Sequence, residues 1–499
     1  MKKQITFEVK ELIICLSMAL IYVFGILFLT GTIFSGYHLA DDHEIIRRVY
    51  LYQNSELSLF DKILAGFPWV GIRFRPLYSF LRQVRCVLFG DNFVLWSICV
   101  GTEIAFAIFF SYLVARLFKC NKYMSFLFGL IIVTGEQSAI WWRLGPQEPT
   151  GIVLLMLSLF LLQKYELSQQ KEWLISGSIS SVITSFAKES FTFVLPFIPF
   201  LMIAYDIYMN DDEETVIVKF KNSIKKNLFL LFFCIIIFGA NIIIILTQVG
   251  TDLAGYAGVD NSLGVLGYLR RMGGMVLFRF SIYFWVLVVI AVGCFLYSWI
   301  KKIDIRKDVF KSGCLFLVAI GIILAQLVLH VKSGMHERYF VPSTVAIALI
   351  AIVIVKEVVN RNGKVLLLYE IVWSLLILFL LCNTVIPQAR IFAKGGQELA
   401  ACFEVIQTNA NRDGAVVVDI DAECNYAIET YLEYKMGYRN VLSYESDEFI
   451  DKVSLDSNTT IIDSLNEAEY ILSYDSDNYE NFILIGDYDA IKLWKNAEL

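Results

Sequence analysis

Apolar runs of about 20 residues recur along this chain, and their repetition limits the possible folds more than any other feature. Inside a bilayer's hydrocarbon core the backbone can satisfy its own N–H and C=O groups only as a helix or a closed barrel. The runs occupy 12–34, 92–115, 123–141, 150–163, 173–187, 191–208, 228–248, 276–299, 312–331, 340–358 and 365–386. They predict eleven transmembrane helices, the two short runs at 150–163 and 173–187 forming a hairpin. Hydrophobic residues make up 57% of the 499 and charged residues only 18%, against roughly 25% charged in soluble domains. That composition excludes a soluble enzyme, a disordered scaffold and a nucleic-acid binder. The expected fold is a polytopic α-helical membrane protein with a small C-terminal α/β domain.

Charge is divided unevenly. Residues 390–499 hold 8 Lys and Arg against 22 Asp and Glu, while residues 1–389 carry a net +8. We therefore expect a basic membrane body, 1–389, followed by an acidic domain, 390–499. Counting Lys and Arg in alternate loops sets orientation. The set containing the amino terminus holds 20, and the short loops of the other set hold 6. The amino terminus is expected in the cytoplasm and the acidic domain outside the cell membrane. Residues 12–34 follow Lys2, Lys3 and Lys10 as a signal sequence would. The run is too long for an ordinary signal core and no A-x-A site follows, so it is expected to stay as an anchor. The ten cysteines show no metal-ligand spacing; Cys402 and Cys424 are the pair that could join in the acidic domain.

The long first outside loop, 35–91, carries two helical patterns. Ile45, Ile46, Val49 and Tyr50 lie opposite Arg47 and Arg48, and after Arg75-Pro76 a face of Leu77, Leu81, Val84 and Leu88 lies opposite Arg82 and Arg85. Both patterns predict interfacial helices, apolar side down and basic side toward headgroups. In the acidic domain, 416–418, 461–462 and 482–485 predict short strands, and 397–409 and 424–436 predict helices.

Ionisable groups beside membrane spans are costly and point to function. They collect on the outside face: Asp41 and Asp42 after the first span, Glu136 and Arg143 around the third, Glu148 before the fourth. Lys188 and Glu189 stand in a tight hairpin, Arg270 and Arg271 precede the eighth span, and His336, Glu337, Arg338 and Tyr339 precede the tenth. Trp141-Trp142 suits the aromatic belt or a sugar-stacking surface. A carboxylate beside a membrane-level cluster of Arg and Lys suits group transfer from a lipid phosphate. The cations would neutralise charge growing on the leaving phosphate, and the carboxylate would take a proton from an acceptor hydroxyl. Lys188, Arg270, Arg271 and Arg143 are the candidate phosphate partners, with Glu148 and Glu189 beside them.

The pattern resembles the GT-C superfamily of integral-membrane glycosyltransferases, including protein O-mannosyltransferases and the lipid A aminoarabinose transferases. The likeness lies in the long first outside loop that opens with Asp41-Asp42, and in Gly334-Met335-His336-Glu337-Arg338-Tyr339-Phe340-Val341-Pro342, which is similar to an H-x-R-Y-x-x-P signature before a late span. The resemblance implies that Asp41 or Asp42 is the catalytic base, and that Arg338 and His336, with Tyr339 beside them, meet the lipid phosphate. It implies an inverting transfer from a polyprenyl-phosphate-linked sugar donor to a cell-surface acceptor: a glycan, a teichoic-acid-like polymer, a lipid or a protein. No cofactor is required by that chemistry. A divalent metal is left open by Glu136, Glu148 and Glu189. Two other readings stand beside it. A transporter or flippase for a lipid-linked sugar would need a polar path, for which Glu103, Asn241, Arg279, Gln326 and Glu370 are the candidates. A non-catalytic membrane subunit would instead use the acidic tail to bind a partner.

Overall fold

The computed structural model describes residues 7–39, 41–65, 73–209, 216–249, 264–279, 282–300, 306–331, 337–355, 363–420, 422–444, 460–462, 465, 468–474, 479, 481–488 and 491–498. Helix α1 (Val9–Thr30) leads into a first loop that carries α2 (His43–Gln53), α3 (Leu59–Ala65) and α4 (Pro76–Phe89). Next come α5 (Phe93–Leu117), α6 (Lys122–Val133), α7 (Glu148–Ser168), α8 (Lys171–Ser185), the short α9 (Glu189–Thr192) and α10 (Phe197–Met209). The second half holds α11 (Val216–Lys226), α12 (Leu228–Ile244), α13 (Val265–Arg279), α14 (Ile282–Ile300) and α15 (Arg306–His330). It closes with α16 (Val341–Ala348), α17 (Gly363–Leu380) and α18 (Ile386–Asn409).

Each of the eleven apolar runs is helical over most of its length. Among the described residues six helices are long and apolar enough to cross a membrane, or seven if the bent pair Val265–Leu277 and Ile282–Ile290 counts as one span. Three shorter apolar helices, Lys122–Val133, Phe197–Met209 and Arg338–Val353, pack among them. The chain is a multi-pass membrane protein. The hairpin of α7 and α8 closes on small residues: Ser181 Oγ donates to Ser158 Oγ at 3.1 Å and Ser180 Oγ to the Leu154 carbonyl at 3.2 Å. Small polar residues of this kind let helices approach where no hydrophobic force drives them together. Trp141 and Trp142 are both buried in this core rather than set in an aromatic belt, Trp141 standing edge-on to Tyr22 at 5.5 Å.

Polar groups from alternate loops gather at opposite ends of the bundle. At one end Glu11 accepts from Tyr112 Oη at 2.6 Å and Arg116 Nε at 2.9 Å, with Lys122 Nζ at 3.1 Å. Lys226 at the end of α11 joins Glu166 of α7 and Asp206 of α10 there. The other end carries the acid pair and the first loop.

The last span does not stop at the expected domain start. The helix runs from Val365 to Asn409, 45 residues, so the segment predicted as a separate helix at 397–409 is its outer end. A six-stranded sheet follows, in the order β3-β2-β1-β4-β6-β5. Its strands are β1 (Ala415–Asp419), β2 (Val441–Tyr444), β3 (Thr460–Ile462), β4 (Ala468–Ser473), β5 (Phe482–Tyr488) and β6 (Ile491–Asn496). The first four in that order run parallel, and β6 and β5 are added antiparallel. α19 (Ala422–Thr430) connects β1 to β2 in the βα manner. Alternation along β1 sends Val416 and Val418 toward Leu399, Cys402, Phe403 and Ile406 of α18, and Val417 toward Ile471 and Trp494 on the opposite face. Cys402 and Cys424 are both free thiols.

The sheet domain rests on the first loop. Tyr37 and Ile46 enter its core, Tyr37 Oη donates to the Ala427 carbonyl at 2.7 Å, and Arg47 donates to Tyr426 Oη at 2.6 Å. α18 passes close to the end of α1: a Cβ on Gly396 would stand 2.3 Å from the Ser35 carbonyl oxygen and 2.5 Å from His38 Nε2. A Cβ on the neighbouring Gly395 would meet nothing within 4 Å. Gly396→Ala is therefore expected to lower the melting temperature of the detergent-solubilised protein by the equivalent of about 1–3 kcal/mol, the usual cost of overpacking. Gly395→Ala is expected to leave it unchanged or slightly raised.

Candidate active site

The first loop, the turn before α7, the α8–α9 hairpin and the segment before α16 meet around a cavity of about 440 Å³. Its wall contains Arg48, Arg73, Arg75, Arg82, Lys188 and Arg338, six cations, against three carboxylates, Asp41, Glu44 and Glu148. Tyr78, Ser79, Gly145, Pro146 and Gln147 complete the lining.

The arginines are held in place by carboxylates arriving from other segments. α4 begins where Pro76 takes the first helical turn, and on its inner side Arg82, 6% exposed, pairs with Glu44 of α2. Arg82 also donates to the Asp41 carbonyl at 3.0 Å and to Tyr78 Oη at 2.5 Å. Burial works to raise the Glu44 carboxyl, but Arg82 and its neighbours outweigh burial and hold it below its ordinary value. One turn on, Arg85 pairs with Glu103 of α5, which also accepts from Thr150 Oγ1 at 2.7 Å. These two arginines thus point into the protein, not toward headgroups as the helical pattern suggested. The reason is that Glu44 and Glu103 offer them charge inside, whereas Phe80 and Leu88 take the exposed side of α4. On α2, likewise, Arg48 joins the cavity and Arg47 turns to the sheet domain.

Lys188 and Glu148 form a buried ion pair, each 2% exposed or less, and the Lys188 ammonium stands 4.1 Å from the centre of the Tyr339 ring. Glu189 is turned from the cavity and held by Arg75, whose Nε and Nη2 lie 2.8 and 2.7 Å from Oε2, with Arg73 at 4.0 Å. Arg75 Nη1 donates to Gln147 Oε1 at 3.2 Å.

The two acids after the first span have separate environments. Asp41 faces the cavity, with Oδ2 3.6 Å from Arg338 Nη1. Its φ of 69° lies in the left-handed region, a conformation that costs most residues roughly 1–2 kcal/mol and that Asp and Asn tolerate best. Asp42 is 1% exposed and looks the other way. It accepts from the His38 amide at 3.1 Å, sits 3.5 Å from His38 Nδ1, and begins α2. Burial outweighs the His38 contacts and holds the Asp42 carboxyl above its ordinary value. His38 is in turn stacked on Phe392 of α18, ring centres 3.7 Å apart.

The structure therefore gathers Asp41, Glu148, Lys188 and Arg338 around one space, with Tyr339 and Glu189 directly behind. Arg143 stands nearby, its guanidinium 5.9 Å from the Phe392 ring, and burial together with the Arg338 charge holds its pKa below the ordinary value. Arg270 and Arg271 are exposed on α13 and form no part of the cavity wall. Their place before the eighth apolar run suggested them, and α13 leaves both exposed. His336 lies outside the described residues. Sequence reasoning missed Arg48, Arg73, Arg75, Arg82 and Glu44 as site residues. The signal was present in the seven Lys and Arg of the 35–91 loop, an excess that topology does not require of an outside segment. Among the described residues no three His, Cys, Asp or Glu side chains gather as a metal site. Glu148 and Glu189 are each paired with a cation, Lys188 and Arg75.

Breaking the buried pair tests this wiring. Lys188→Met would leave Glu148 buried without its counter-charge, at a cost of about 3–5 kcal/mol, seen as a marked fall in melting temperature. Lys188→Met combined with Glu148→Gln is expected to recover most of that loss.

Comparison with known proteins returns no matching family model and no matching curated protein. Among solved structures the chain is similar to ArnT from Cupriavidus metallidurans bound to undecaprenyl phosphate, at 11% identity over 96% of this chain and 97% of that one, TM-score 0.48. It is also similar to the Archaeoglobus fulgidus oligosaccharyltransferase in its apo form, at 12% identity over 93% of this chain and 69% of that one, TM-score 0.44.

Proposed function

We propose that the chain is a GT-C-type membrane glycosyltransferase that moves a sugar from a polyprenyl-phosphate donor to an acceptor hydroxyl on the extracytoplasmic face. The observation that carries this reading is the placement of one cavity-facing carboxylate, Asp41, on a wall where six cations face three carboxylates. An excess of Arg and Lys on a concave wall attracts and holds an anion. Planar guanidinium groups suit the oxygens of a phosphate in particular.

The reaction then needs few parts. Asp41 takes the proton of the acceptor hydroxyl as its oxygen bonds to the sugar's anomeric carbon. The bond from that carbon to the phosphate oxygen breaks, its electron pair stays on the phosphate, and the cations stabilise the charge that develops. One displacement inverts the anomeric centre. No general acid is required, because a phosphate leaves as an anion. Arg338 bridges the two functions: it stands beside Asp41 and on the wall where the phosphate would bind. The alternating loop charges favour an outside location for this cavity. The acidic outer domain would repel an anionic polymer at short range, so an acceptor of that type would be recruited by the membrane body.

A flippase is less well supported. Of its candidate path residues, Glu103 pairs with Arg85, Asn241 donates to Ser185 Oγ at 3.1 Å, Gln326 to the Ser190 carbonyl at 2.8 Å, and Glu370 accepts from Asn121 at 2.8 Å. Each of these four has a local partner on a neighbouring segment.

The test is turnover of radiolabelled polyprenyl-phosphate sugars by purified protein in lipid. Asp41→Asn is expected to lower kcat by about 10²–10⁴-fold, the usual contribution of a positioned general base. Asp42→Asn, whose amide oxygen can still accept from His38, is expected to stay within a few fold of wild type. Full activity in Asp41→Asn would overturn the assignment.

A further inference from the structure

The cavity-facing acid occupies space that a single absent side chain leaves open. An ideal Cβ on Gly145 would stand 2.2 Å from Asp41 Cβ, 2.8 Å from its Cγ and 3.0 Å from Oδ2. Carbon atoms do not approach to 2.2 Å without one of them moving. Gly145 has no positive φ, and the residue before a proline, here Pro146, is normally extended, so alanine could adopt the same backbone. What the position requires is room, not glycine's conformational freedom.

From another direction the Asp41 main chain is pinned, its carbonyl accepting from Arg82 Nη2 at 3.0 Å. Arg82 is itself fixed by Glu44 and Tyr78. The acid is thus held in its left-handed conformation by a guanidinium on its backbone and a bare Cα against its side chain. We propose that Gly145 is a positioning residue that sets where the Asp41 carboxylate stands in the cavity. This rests on the reading of Asp41 as the general base. Placement matters at this scale, since a shift of about 1 Å in a reacting group can cost about 100-fold in rate.

A double-mutant cycle tests the proposal without requiring turnover. Gly145→Ala is made in the wild-type chain and in Asp41→Gly, where the opposing Cβ is gone and the left-handed backbone is kept at no steric cost. Melting temperature and binding of undecaprenyl phosphate, used as the probe, are measured for all four proteins. Gly145→Ala is expected to lower the melting temperature in the wild-type background and to leave it unchanged in Asp41→Gly. An equal fall in both backgrounds would overturn the contact and make Gly145 an ordinary packing residue.

Turnover supplies the second arm. Gly145→Ala is expected to lower kcat by about 100-fold with KM for the donor within about threefold, because the cation wall is untouched. Wild-type kcat in Gly145→Ala, with Asp41→Asn inactive, would overturn the proposal and leave Asp41 as the base. Full activity in Asp41→Asn would instead remove the reading on which the proposal rests.

Discussion

Like charges can be collected at the edge of a low-dielectric layer only if opposite charges are placed among them, because an unpaired buried ion costs far more than a paired one. The cavity follows from that requirement. Its cations come from the first loop, the α8–α9 hairpin and the segment before α16, and each region is tied to another by the carboxylate it meets. Glu44 on α2 holds Arg82 on α4, Glu189 on α9 holds Arg75 at the start of α4, and Glu148 on α7 holds Lys188. The same bonds that make the charge tolerable also fix the relative positions of these elements. Three carboxylates on the wall do not balance six cations, and the surplus is what makes the space suited to an anion.

Within that frame the two neighbouring acids divide into one that faces the cavity and one that is buried. The Asp42 carboxylate is held by His38, which in turn stacks on Phe392 of the last long helix. The sheet domain also rests on the first loop through Tyr37 and, on α2, Ile46 and Arg47. The acid pair therefore stands where the bundle, the first loop and the outer domain meet. The Asp41 backbone is held there by Arg82, while its carboxylate stays open to the cavity beside Arg338.

Much of the architecture was legible because its cause is local. A run of apolar residues long enough to span the bilayer must satisfy its backbone internally whatever surrounds it, so all eleven runs became helices. The continuous apolar run Val416-Val417-Val418 predicts a short buried strand for the same reason. β2, β4 and β6 escaped notice because their short mixed sequences become strands only through pairing with neighbours. The uninterrupted helix from Val365 to Asn409 was hidden by the drop in hydropathy near 390, which marks departure from lipid and not the end of a helix.

The sequence by itself determined that this is a multi-pass membrane protein whose C-terminal domain is acidic. Hydropathy and charge are properties of residues one at a time, and they survive any arrangement of the helices. The tertiary structure alone decided which of the charged residues share a space. Arg82 and Arg85 turned inward because Glu44 and Glu103 awaited them, Arg270 and Arg271 were left exposed, and Asp41, with its backbone in the left-handed region, faces the cavity while Asp42 is buried. Those outcomes depend on pairings between segments far apart in the chain, and a pattern read along one segment contains neither partner's position.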